Sequence, residues 1–183
     1  MRIKMEKIKE NFYILNILLF MAKITLFIIS KNIGMLISSI YNLCIGITKK
    51  NVYSKNNNKY RFIGIMLIVS SISFMIYSIY VIIEHKIFNY DLYTGIFIAT
   101  ITFFDIGIAI YGIIKYKNTK DIQNKVLKMI NLATALISLQ LTQTALLSFT
   151  MEGIDNSFYN GLSGIIFGIC SFIIGLSIRK VKK

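Results

Sequence analysis

Four stretches of this chain are long and apolar enough to cross a bilayer, and they leave little freedom in what it can fold into. Phe62–Ile83 and Phe158–Ile178 carry no charge, and Tyr93–Ile114 carries one, Asp105. Met129–Thr150 is also uncharged, although rich in Thr, Ser and Gln. Crossing the hydrocarbon takes about 20 predominantly apolar residues in a helix. The expected fold is therefore all-α, a polytopic transmembrane helical bundle. The rest of the chain agrees with a bilayer rather than water as the solvent. Of 183 residues 55% are hydrophobic, mean hydropathy is +0.64, and there is no proline. A domain of this length has too much exterior per unit volume to hide that much apolar surface from water. Charged residues make up 16%, against about a quarter in soluble domains.

The net charge of +13 would suit a nucleic-acid binder if it were gathered on one face. Instead the basic residues fall in short clusters between apolar runs. Arg2, Lys4, Lys7 and Lys9 precede residue 12; Lys49, Lys50, Lys55, Lys59 and Arg61 form a second group; Lys115, Lys117, Lys120, Lys125 and Lys128 a third; Arg179, Lys180, Lys182 and Lys183 a fourth. In the alternate loops Lys86 is the one Lys or Arg of residues 84–92, and residues 151–157 have none but carry Glu152 and Asp155. The positive-inside rule then places both termini and residues 49–61 and 115–128 in the cytoplasm. A multi-pass protein of the cell membrane is expected, with no nucleic-acid partner. Heavy use of Ile, Lys, Asn, Tyr and Phe points to an AT-rich bacterial genome. The lysine-rich 49–61 loop reads as a topology determinant, or as a surface for anionic lipid. Tyr60, Tyr80, Tyr90, Tyr93, Tyr116 and Tyr159 fall near headgroup depth, where amphipathic rings gather.

Residues 12–48 leave two readings open. Phe12–Ser30 contains Lys23, and Ile33–Thr48 is short for a span. Asn16, Lys23, Ser30, Gly34, Ser38, Asn42 and Gly46 form one polar or small face at heptad or i+4 spacing. Such a stripe fits an amphipathic helix lying in the interface, or a membrane hairpin that turns it inward. Cytoplasmic clusters on both sides require an even number of crossings, zero or two. The expected organisation is an N-terminal membrane-associated region with its basic loop, residues 1–61, followed by a four-helix transmembrane bundle, residues 62–183.

Asp105 is the residue most loaded with chemistry. A carboxylate at mid-span should face protein or water, not lipid. It is ten residues from Lys115, and Ser138 is ten from Lys128, with Gln140 close by; at about 1.5 Å rise per residue these share a depth. If the hairpin crosses, Lys23 reaches the same level, and a Lys23–Asp105 ion pair is expected because charges within membranes pair. The cluster Asp105, Ser138, Gln140 and Lys23 is then either a proton or ion site, or polar glue between helices. In the last span Gly161, Gly164, Gly168, Ser171 and Gly175 make a small-residue stripe that lets a neighbouring helix approach closely, within the chain or in a second copy.

No catalytic set emerges. Asp105 has no second core carboxylate, and His85 is remote from any buried nucleophile. Cys44 and Cys170 with a single histidine make no zinc set, and neither a metal nor a cofactor is expected. The expected function is that of a non-enzymatic accessory or regulatory subunit, touching the lipid bilayer (anionic lipids included), a partner membrane protein or a second copy of itself. The alternative is a small transporter or channel using Asp105.

Overall fold

The computed structural model describes residues 2–31, 33–54, 58–88, 90, 92–115, 117–118, 121–150 and 154–181, the side chains of 2–13, 30 and 149 excepted. Among the sequence features above, Lys55, Tyr116, Lys120, Glu152, Lys182 and Lys183, and the side chains of Arg2, Lys4, Lys7, Lys9 and Ser30, lie outside the described residues. The described chain forms six α-helices: α1 (Arg2–Ser30), α2 (Ile33–Val52), α3 (Lys59–Ile83), α4 (Leu92–Lys115), α5 (Ile122–Thr150) and α6 (Ser157–Arg179). No strand occurs among the described residues. α3, α4, α5 and α6 are long and apolar enough to span a membrane, so the chain is an integral membrane protein of the multi-pass helical class.

α3, α4 and α6 keep the expected span limits to within three residues, while α5 starts seven residues earlier than the apolar run. Its extra turns carry Val126 and Leu127, which are buried against Val52, Tyr60 and Ile178. Apolar contact thus carries this helix past the level at which charge resumes. Tyr60 is drawn into the same cluster, 5% exposed, with the Lys59 ammonium 5.2 Å from its ring centre. Tyr80, Tyr93 and Tyr159 are exposed near helix ends, as headgroup-seeking rings would be.

Residues 12–48 form a hairpin, not a single helix lying across the surface. α1 and α2 pack side by side over their length, turned by Lys31 in the left-handed region (φ 51°), with the Lys31 N–H bonded to the Phe27 carbonyl at 2.7 Å. Asn16, Lys23, Gly34, Ser38, Asn42 and Gly46 are all buried. The hairpin runs the height of the bundle. Val52 packs with Tyr60 and Ile178 at the basic ends of α3 and α6, whereas Leu26 and Met35 pack with Ile98, Leu141 and Ala145 towards the opposite end. One core cluster draws Tyr41, Ile45 and Val52 together with Ile63, Leu67, Phe74 and Ile137, so residues on both sides of position 61 share it. α5 is the most enclosed of the four long apolar helices, 61% of its apolar window being buried against 28–33% for the others. It touches α2, α4 and α6.

Candidate functional site at the centre of the bundle

Asp105 lies on the buried face of α4 with Ile98, Thr102, Ala109 and Gly112, a run of i+3 and i+4 steps that turns one side of the helix inward. The residue is 1% exposed. Its Oδ2 accepts three hydrogen bonds: from Ser138 Oγ at 2.7 Å, Lys23 Nζ at 3.0 Å and Asn42 Nδ2 at 3.3 Å. The donors come from α5, α1 and α2, so one carboxylate oxygen joins four helices. Lys23 is as deeply buried as Asp105. Neither charge alone would be tolerated in such surroundings; paired and hydrogen-bonded, the two offset much of the cost of leaving water. Asp105 Oδ1 has no hydrogen-bond partner among the described residues.

The site belongs to a longer polar column. Asn16 and Lys23 on α1, and Asn42 and Lys49 on α2, are each seven residues apart and therefore stand two turns apart on one face. Lys49 Nζ donates to Asn16 Oδ1 at 2.9 Å, forming a second rung towards the basic end. Beyond Asp105 in the other direction, Thr142 Oγ1 lies 2.7 Å from Thr102 Oγ1 and 2.9 Å from the Ser138 carbonyl.

Of the four residues expected at this centre, Lys23, Asp105 and Ser138 come together and Gln140 does not. Its amide Nε2 donates to Thr144 Oγ1 at 2.9 Å and to the Asn160 carbonyl of α6 at 3.3 Å. Two residues along an α-helix is a turn of about 200°. Ser138 and Gln140 thus match in depth and face opposite sides. Asn42 completes the site, and its place on the polar face of residues 16–46 was the signal for it.

The small-residue stripe of α6 has its partner in the same chain. Gly161, Gly164, Gly168, Ser171 and Gly175 are all buried, and the four glycines face Ser78 and Ile82, Ser78, Met75, and Ile68 with Gly64, all on α3. Ser171 Oγ lies 2.8 Å from Ser71 Oγ of α3 and 2.8 Å from the Tyr41 hydroxyl of α2. The α3–α6 interface is the most extensive in the molecule.

No protein-family model, no curated protein and no solved structure matches this chain.

Among the described residues no three His, Cys, Asp or Glu side chains are grouped as metal ligands, and Cys44 and Cys170 are free and half-buried. At the end opposite the basic clusters, His85 Nδ1 lies 2.9 Å from Asp155 Oδ2, linking the α3–α4 and α5–α6 connections. His85 occupies the left-handed region (φ 45°), where its N–H bonds the Ile82 carbonyl and the Lys86 N–H the Val81 carbonyl. This pair of hydrogen bonds closes a helix C-terminus, usually around glycine. Hydrogen bonds from Ser157, then from His85, hold the Asp155 carboxyl down to about 2. A depressed carboxylate stabilises the fold above its ordinary value and ceases to as pH falls through the folded value. The Asp155 contribution is therefore expected to be complete above about 3.8 and lost around 2. A carbon-13 titration of that carboxyl with a midpoint at 3.8 or higher would show the contact to be absent.

Proposed function

We propose that this protein is a non-enzymatic accessory or regulatory subunit of the bacterial cytoplasmic membrane, acting through helix–helix and lipid contacts. The observation that carries this reading is the closure of Asp105 Oδ2 by donors from three other helices of its own chain. A carboxylate used in this way fixes helices in place, and its charge is already matched by Lys23. The clustering of basic residues at one end of the bundle, opposite His85 and Asp155, supports cytoplasmic termini. The height of the α1–α2 hairpin supports six crossings in all.

A second reading, a small transporter or channel with Asp105 as its proton or ion site, is favoured by one observation. Asp105 Oδ1, Ser38 Oγ and Asn16 Nδ2 are buried without hydrogen-bond partners among the described residues. Buried polar atoms usually have partners, and such an atom can receive a mobile one.

Flux through liposomes holding the purified protein separates the two. Under the first reading neither wild type nor Asp105→Asn passes protons, sodium or potassium above the rate of empty vesicles. Flux in the wild type that is lost in a folded Asp105→Asn variant would replace it with the second.

A further inference from the structure

Seven glycines along the helices differ in what an added Cβ would meet. At Gly64, Gly112, Gly161, Gly164, Gly168 and Gly175 it would press on a neighbouring helix; at Gly107 it would meet nothing within 4 Å among the described residues. Gly107 is one turn from Phe103 and one turn from Tyr111 on the same side of α4. It forms the floor of an open groove of about 380 Å³, walled by Phe103, Phe104, Ile108 and Tyr111 of α4 and by Leu15 of α1. α1 and α4 touch only sparsely, so the groove lies between them on the outside of the bundle. Phe103, Phe104 and Tyr111 are more than half exposed.

Helix packing does not explain this glycine. Within a helix glycine is disfavoured relative to alanine, and here the missing side chain makes room for no other helix among the described residues. The groove starts at the depth of Asp105, on the opposite face of α4, and runs along that helix towards the basic end. In line with it, one turn past Tyr111, Lys115 holds its ammonium 5.7 Å from the Tyr111 ring centre, with Lys117 just beyond. An apolar channel leading from mid-bundle depth to an aromatic ring and two lysines has the shape and charge order of a phospholipid: chain, interface, anionic headgroup.

We infer that the groove over Gly107 retains one anionic phospholipid, its acyl chain lying along Phe103, Gly107 and Tyr111 and its phosphate at Lys115 and Lys117. The inference rests on the membrane placement of the bundle and deepens the lipid-contact part of the proposed function. It does not depend on the role of Asp105: a protein that carried flux could still hold this lipid.

The test is native mass spectrometry of the protein released from vesicles of equal parts phosphatidylglycerol and phosphatidylcholine. The wild type is expected to keep one phosphatidylglycerol per chain. Gly107→Leu fills the groove from its floor, where its Cβ meets no described atom within 4 Å, and should bring retention to the bulk ratio of the two lipids. Lys115→Gln should lower the preference for phosphatidylglycerol about fivefold, the contribution of one basic residue near an anionic surface, while still holding a lipid. Three results would each overturn the site: equal retention of both lipids by the wild type, unchanged retention by a folded Gly107→Leu, or wild-type dimers without bound lipid that Gly107→Leu dissociates. The last would give the groove to a second copy of the chain.

Discussion

Replacing Asp105 alone with leucine is expected to lower the unfolding free energy by about 3–5 kcal/mol, while replacing Lys23 and Asp105 together, with methionine and leucine, should recover most of that loss. The reasoning is one of charge left behind. The Lys23 ammonium is 1% exposed, two turns before the end of α1 at Ser30 and enclosed by the bundle. Without Asp105 it has no carboxylate, and the donors of Asn42 and Ser138 lose their acceptor in the same stroke. In the double variant no charge remains, and two apolar side chains of comparable volume occupy the space. Asp105→Asn should fall between the two, since the amide keeps a carbonyl for Ser138 but not the charge for Lys23. Reversible unfolding in mixed micelles, followed by circular dichroism, measures all three. A double variant no more stable than Asp105→Leu would mean that the hydrogen bonds, and not the charge balance, hold the four helices at this point.

Much of this centre is readable in the sequence, and the errors have physical causes. Depth along a helix follows from counting at about 1.5 Å per residue, which is why the basic clusters set Lys23, Asp105 and Ser138 at one level. Direction around a helix does not follow from depth. Gln140 shares the level of Ser138 yet bonds to α6, because nothing in a single apolar helix states which neighbour lies on which side. Whether residues 12–48 join the bundle depended on packing. Lys23 makes α1 a poor span on its own, and only its carboxylate partner on α4 makes the depth tolerable. The α6 stripe is visible in its 3-4 spacing, and its counterpart on α3 is spaced more widely. Gly64, Ser71 and Ser78 recur every seven residues on α3, and all three are buried against α6. A small-residue heptad on a second helix is the signal that assigns the first to a partner within the chain. Tyr41 runs against the expectation for tyrosines: it is 2% exposed at mid-helix, kept there by its hydroxyl contact with Ser171.

That α3–α6 interface carries the second large expected effect. Gly64→Ala should destabilise the protein by about 1–3 kcal/mol, and Gly64→Leu by more, as overpacked cores do. A Cβ at Gly64 would lie 2.7 Å from the Arg179 backbone nitrogen and 2.7 Å from the Gly175 carbonyl oxygen. These are main-chain atoms of α6, so no change of rotamer makes room and the helices must part. At Gly164 the nearest obstacle is Ser78 Oγ, which can rotate away, with Ser78 Cβ at 3.0 Å and Phe74 further off. Gly164→Ala should therefore cost less than Gly64→Ala, although both glycines lie in the same interface. Gly107→Ala supplies the reference, since its Cβ meets nothing within 4 Å among the described residues and helix propensity alone predicts a gain of up to about 1 kcal/mol. The order Gly64→Ala, Gly164→Ala, Gly107→Ala, from most to least harmful, is the outcome that close backbone approach requires. If Gly64→Ala were as well tolerated as Gly107→Ala, the two backbones would not meet at that point. If instead it left monomer stability unchanged and abolished self-association, the stripe would serve a second copy, and the α3–α6 pairing would not be the contact that holds this end of the bundle together.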